Sequence, residues 1–229
     1  MAAPVVRQAT GAKTPSAGGF GVNVPALNAA RAGDLLILIA QGVGIPDPVF
    51  MHPSGWNELD KRRPTHGQQI WWKRATGAAP VAQVRVSSRA QYVAVQLAIS
   101  GAEAVGNIFG AVRYELFDHV VNSDRFNSQF AVYDDSLFLM MVQHAHGPNA
   151  GGWGGMQVSA TMGSWQWITK DYTGIGIRNT EVLIAGITGI PKGTRISGTV
   201  RYGSSFGTVI RMVEVFAPHG SSGKKVMLI

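Results

Sequence analysis

Apolar residues along the chain fall in short runs bounded by glycine, proline and polar positions, and they rarely hold the helical period of about 3.6 residues. The clearest run, Leu35-Leu-Ile-Leu-Ile-Ala40, has the length of a strand. It is introduced by Gly33-Asp34, closed by Gln41-Gly-Val-Gly44 and followed by Ile45-Pro-Asp-Pro48, and these flanks favour a buried strand over a helix. After a turn-rich stretch, Met51-His-Pro-Ser-Gly-Trp56, three further strands are expected: Gln68–Arg74, Ala82–Ser87 and Tyr92–Ser100. In Val84-Arg85-Val86 the polar residue alternates with apolar ones, as on a sheet with one wetted face. Residues 1–30 are rich in Ala, Gly, Pro and Asn and read as an arm or loop, with a short strand at Val5–Ala9.

The second half repeats this order. Asp135–Val142 mirrors Gly33–Ala40, and Gln143 and Gly147 echo Gln41 and Gly42. Gly163-Ser-Trp165 stands where Ser54-Gly-Trp56 stood, and Thr180–Gly186 answers Gln68–Arg74. Arg195–Tyr202 and Gly207–Phe216 answer the last two strands. Residue identity between the halves is slight, so the repeat is one of pattern, and its period of roughly 100 residues is too long for a solenoid or propeller blade. Two sets of about four strands suit an all-β chain with a single antiparallel β-sandwich, jelly-roll-like, of about eight strands in two Greek-key halves. Two separate four-stranded domains would each have a small core and many exposed edges. The expected division is an arm at 1–30, the sandwich at 31–218, and a linker with a C-terminal docking segment at 219–229. In that last part Pro218-His-Gly-Ser-Ser-Gly223 reads as a linker. Lys224, Lys225, Val226, Met227, Leu228 and Ile229 then either add a strand to a neighbouring chain or fold back on their own sheet.

Composition narrows the chemistry. Of 229 residues, 45% are apolar and only 14% charged, which favours a packed chain over a disordered one, and 29 glycines suit many strands joined by tight turns. The net charge of +7 would suit an anionic partner, yet it also serves solubility alone. Lys61, Arg62 and Arg63 cluster, as do Lys73 and Arg74, but no nucleic-acid-binding motif surrounds them, so no nucleic-acid partner is expected. With no cysteine, disulfides, thiolate metal sites and cysteine nucleophiles are all excluded. The N-terminus lacks the basic start and apolar core of a signal peptide, and no apolar run is long enough to span a bilayer, so neither secretion by a leader nor membrane insertion is expected.

Motifs for catalysis are missing. Neither a phosphate-cradling Gly-x-x-x-x-Gly-Lys nor a Gly-x-Ser-x-Gly or His-Glu-x-x-His occurs, and Gly174-Ile-Gly176 lacks the third glycine of a dinucleotide signature, with Asn179 in its place. His144 and His146 have a spacing that can chelate a divalent ion in an extended segment, with Asp118, Asp134 or Asp135 to complete the set. They also stand at the end of a strand beside Gly147-Pro148, where polar loop residues are ordinary, and no metal or other cofactor is expected. Asp118, Asp124, Asp134 and Asp135 fall in turn-like contexts, where Asp has a structural role, and so make a poor carboxylate pair for glycoside cleavage. No enzyme site emerges.

The aromatic residues say more. Trp71 and Trp72, adjacent on one strand, must point to opposite faces, so one can be core and the other exposed. Trp153 lies in a glycine loop, and Trp165 and Trp167 share a face. Rings of this kind either fill the core or bind, stacking on sugars or anchoring a protein interface. Trp153, Trp165 and Trp167 are therefore the candidate binding residues, and a carbohydrate-binding module reading host cell-surface glycans is one function they would serve.

The order Gly33-Asp34-Leu-Leu, then Pro53-Ser-Gly-Trp56, then Ile70-Trp-Trp-Lys-Arg-Ala75, then Tyr92–Ser100 with Gly101, resembles β-sandwich modules of bacteriophage virion proteins. The likeness is to minor tail proteins, especially those of phages of actinobacteria, and it covers about residues 30–218. It implies a non-enzymatic virion component that assembles with other virion proteins, often as a homo-oligomer, on a tail or as a capsid decoration or head fibre. No catalytic residue is implied. The Gly/Ala/Pro-rich arm and the Lys-Lys-Val-Met-Leu-Ile end depart from the family pattern and leave the attachment site open.

Overall fold

The computed structural model describes residues 3–15, 18–43, 48–59, 67–104, 108–109, 113–117, 123–130, 134–146, 157–160, 166–173, 179–201 and 207–218. Among these the chain is all-β, with no helix and only antiparallel pairing. Where about eight strands are expected from the pattern, the described residues form fourteen. The first half contributes β1 (Val5–Lys13), β2 (Gly19–Val24), β3 (Leu35–Val43), β4 (Asn57–Glu58), β5 (Gln68–Arg74) and β6 (Ala82–Ser100). The second contributes β7 (Arg113–Phe117), β8 (Ser123–Phe130), β9 (Ser136–His146), β10 (Gln157–Ala160), β11 (Gln166–Thr173), β12 (Asn179–Ile190), β13 (Arg195–Arg201) and β14 (Gly207–Val215).

Residues 1–30 are not simply arm or loop. They supply β1, which pairs with the C-terminal part of β6, and β2, which pairs with its N-terminal part. The expected strand Val5–Ala9 is the first part of β1, and the small and polar residues around it conceal its continuation and β2 from a composition reading, since both lie partly exposed along the ladder with β6. The expected strands Ala82–Ser87 and Tyr92–Ser100 are one continuous strand of 19 residues, in which the polar Ser87-Ser-Arg-Ala-Gln91 stretch stays extended.

The two halves share one strand order. The first sheet runs β1-β6-β3-β5-β4, with β2 alongside β6. Taken from its other edge, the second runs β7-β14-β9-β12-β11. Thus β3 and β9 occupy the same central place, β3 between β6 and β5 and β9 between β14 and β12. A third sheet, β10-β13-β8, repeats the pairing of β2 with the first part of β6, because β13 precedes β14 as that part precedes the rest of β6. The registers agree in detail: Ile39 pairs with Val95 and Ile70, and Met141 pairs with Arg211 and Ile184.

This arrangement explains why β3 is apolar at every position from Leu35 to Ala40: both faces are buried, so alternation disappears. Leu36, Leu38 and Ala40 face a core of the first half with Val22, Val24, Val84, Val86, Trp71 and Tyr92. Leu35, Ile37 and Ile39 face the other way. They join Val93, Val95, Leu97 and Ile99 of β6 in a second core that also holds Leu137, Leu139, Met141, Ile184, Val213 and Val215. That second core is a seam between the two halves. Each fully buried Leu or Ile contributes about 1.5–3 kcal/mol by leaving water, so the seam is a main source of cohesion. The connecting segment is tied to it as well: Glu103 N–H donates to Phe216 O, Phe216 N–H donates to Ile108 O, and the Phe109 ring packs edge-on to Trp72 at 5.5 Å.

Trp71 and Trp72 do point to opposite faces, but neither is exposed. Trp71 is buried in the first core, and Trp72 is half-buried against the seam. The seam also encloses polar groups. Gln41 and Gln68 are cross-strand partners, fully buried, and their amide atoms have no hydrogen-bond partner among the described residues.

Candidate functional site

A cleft of about 460 Å³ opens on the outer side of the first half. Three pieces of chain build it. The loop Met51–Trp56, rich in turn residues, forms one wall, held where Met51 N–H donates to Arg85 O at 2.9 Å. The turn from β5 into β6 supplies Ala79, Pro80 and Val81, with Ala79 clamped to Leu27 by two backbone hydrogen bonds. The sheet itself supplies Lys73, Gln83, Arg85 and Gln96.

Alternation along β6 decides what reaches the cleft: Val84 and Val86 enter the core while Gln83 and Arg85 stand exposed. Lys73 lies over the Trp56 ring, with Nζ 4.5 Å from the ring centroid, in a cation–π contact. Partial burial lowers the Lys73 pKa from its ordinary value, since the ammonium has lost part of its hydration. Among the described residues no Asp or Glu lines the cleft, and His52 joins Lys73 and Arg85 on its wall. Gln96 lies at its inner end. It is fully buried, and its Nε2 donates to the carbonyls of Pro25 and Val24. Its Oε1 has no partner among the described residues. A second hollow adjoins the first through Met51, Gln83 and Arg85, and Phe20 stands exposed at its edge.

The arrangement can hold an anionic, partly apolar ligand. His52 and Ser54 both line it, and among the described residues no group of three or more His, Cys, Asp and Glu could bind a metal.

Of the residues singled out from sequence, Trp167 lies in β11 opposite Ala185. Trp153, Trp165 and the docking segment Lys224, Lys225, Val226, Met227, Leu228 and Ile229 lie outside the described residues, as do the Lys61–Arg63 cluster, Asp118 and Gly174-Ile-Gly176. His144 and His146 are both in β9, opposite Glu181 and Asn179 of β12. Asp124 sits in β8 opposite Val200. Asp134 does turn work: its Oδ1 accepts from Lys192 N–H at 2.7 Å. Asp135 occupies a left-handed backbone position at φ 59°.

The cleft was partly legible. The Met51–Trp56 turn, Trp56 and the Lys73-Arg74 pair all stand out in the chain, but nothing in the spacing brings Arg85 and Gln96 to them. That needs β6 to run on from its ladder with β2 into its ladders with β1 and β3. No family model, curated protein or solved structure matches this chain. Among the described residues there is no helix long and apolar enough to cross a membrane.

Proposed function

We propose that the protein is a non-enzymatic structural component of a bacteriophage virion, tail-associated in the manner of a minor tail protein, which docks to other virion proteins and presents its outer loops. The observation that supports this most is the doubled unit. Two copies of one strand order share a single buried seam, which makes a stiff body whose outer faces remain for contacts. Such a body suits holding a fixed place in a repeated assembly, and the resemblance of Gly33–Gly101 to virion modules points the same way. In this reading each half is a Greek-key-like unit of a jelly-roll-type sandwich. Consecutive strands β5 and β6 flank β3, so the chain crosses from one side of β3 to the other by way of the outer layer.

Immunogold electron microscopy of intact phage particles from the source culture, with antibody against the native chain, tests the reading. Gold on the tail or its tip is the expected result. Gold spread over the head would replace tail association with capsid decoration, and bare particles under an antibody proven on native protein would overturn an exposed virion role.

A further inference from the structure

We infer that the cleft between the Met51–Trp56 loop and β6, together with the adjoining hollow, is a docking groove for an extended acidic segment of another protein, its carboxylates meeting Lys73 and Arg85 and its apolar side chains meeting Met51 and Val81. The inference stands on the groove alone and holds wherever the chain resides.

Charge is the first argument. Among the described residues, Lys73 and Arg85 face a space lined by no carboxylate and neither makes an ion pair, the salt bridge found there joining Arg7 to Asp34. A partly desolvated ammonium gains more from an incoming carboxylate than a hydrated one does, because part of its water is already gone. Shape is the second. The two hollows meet at Met51, Gln83 and Arg85, so the groove is longer than a compact ligand requires. Third, the groove is apolar where it is not cationic. Met51, Val81 and Phe20, exposed by 53%, 54% and 62%, border it, and they are three of the five large apolar side chains exposed among the described residues.

An acidic glycan fits less well. Sugars stack on open ring faces, whereas Trp56 is only 8% exposed and lies under the Lys73 ammonium. Single-stranded nucleic acid meets the same objection, since its bases also need open aromatic platforms.

The test uses the full chain and fluorescence anisotropy with a labelled, end-blocked peptide of alternating Glu and Leu. Controls are the same peptide with Gln for Glu, polygalacturonate, and single-stranded DNA of matched charge. The Glu peptide is expected to bind at least about tenfold more tightly than the Gln peptide. Lys73→Met with Arg85→Ala is expected to remove that preference while the melting temperature stays put. Arg85→Ala alone, at an exposed position, gives the same readout should the double variant fold poorly. Equal binding of both peptides, binding unmoved by Arg85→Ala, or no binding would each overturn the proposal. So would polygalacturonate or DNA displacing the Glu peptide at equal charge concentration.

Discussion

The two halves of the molecule carry one strand order and different polar loads. On the seam, the first half places Val95 where the second places Arg211, since Ile39 pairs with the former and its equivalent Met141 with the latter. On the outer face, Ala98 pairs with Leu36, while Glu214 pairs with Phe138 at the matching position. Arg211 and Glu214 are both fully buried. Identical pairing thus survives the exchange of a methyl for a carboxylate and of an isopropyl group for a guanidinium. What the halves hold in common among the described residues is the left-handed turn ahead of each central strand, the parity of apolar residues on β3 and β9, and the order of the strands around them. Topology here is set by period and punctuation, and side-chain identity is free to diverge wherever a local partner can be found.

The strongest way to break this comparison is to cut the seam from each side. Ile37 and Leu139 occupy equivalent central positions, both fully buried in the shared core. Ile37→Ala and Leu139→Ala should each cost about 2–5 kcal/mol, the usual range for a large-to-small change in a core. Because the seam belongs to both halves, each variant should still unfold in one urea transition, seen alike by tryptophan fluorescence and far-UV circular dichroism. Two transitions, with Leu139→Ala moving only one, would mean that the halves are independent domains that merely touch.

How much of this was legible in the chain follows from the same physics. The run from Leu35 to Ala40 announces a strand buried on both faces, and Gln68–Arg74 is bounded in the structure as its flanks suggest. The echo of Gly33–Ala40 in Asp135–Val142 is a true register match, extending to the left-handed residue before each strand. Of the N-terminal strands, the expected Val5–Ala9 is the first part of β1, whose continuation through Thr10–Lys13 is not marked by apolar residues. β2 was not legible, because its alternating Phe20, Val22 and Val24 are interrupted by Gly19, Gly21 and Asn23 in a stretch that reads as a loop. Nor could the chain tell that β6 continues through Ser87–Gln91, because a polar stretch between two apolar runs reads as a loop. The cleft draws residues from both parts of that one strand, so its Lys73 and Trp56 were visible and its Arg85 and Gln96 were not.

A smaller effect, of opposite sign, sharpens the comparison. Gln41 and Gln68 place two amides in the seam with no hydrogen-bond partner among the described residues. Burying a polar group without a partner costs about 1–3 kcal/mol on mutational scales. Gln41→Met with Gln68→Met keeps the volume and removes that cost, so a gain of about 1–3 kcal/mol in urea denaturation is expected. A loss instead would show that these amides help fix the register between the halves.

Tyr92 separates the halves by pH. Its phenol is buried in the first half's own core, donates to Val84 O at 2.9 Å, and meets the Phe50 ring edge-on. Burial pushes its pKa from 10.0 up to about 12, against a smaller opposing effect of the Val22 backbone. The folded state therefore favours the neutral phenol. That stabilisation is complete below pH 10 and is lost as pH rises towards 12, where the unfolded chain ionises first. At the matching place the second half has Thr208, which does not titrate. Tyr92→Phe should cost about 0.5–1.5 kcal/mol at neutral pH for the lost hydrogen bond, and it should flatten the alkaline fall in melting temperature. An unchanged fall in the variant would assign it to other groups.

The finest distinction lies in the left-handed residue ahead of each central strand. Gly33, at φ 89°, and Asp135, at φ 59°, both sit in the left-handed region, one residue before the buried polar Asp34 and Ser136. For an L-residue that region costs about 1–2 kcal/mol, least for Asp and Asn, and glycine escapes it at the expense of about 0.5–1 kcal/mol of extra freedom in the unfolded chain. Asp135→Gly should therefore gain no more than about 1 kcal/mol, because the two effects largely offset. The reciprocal change isolates the backbone. A Cβ at Gly33 would meet nothing within 4 Å, so Gly33→Ala carries no clash, and any loss reports the conformation alone. A loss of about 1 kcal/mol is expected from Gly33→Ala, with a smaller loss from Gly33→Asp. If alanine proved silent there, the left-handed turn would not be what positions β3, and the agreement between Gly33 and Asp135 would carry no weight as a sign of a shared unit.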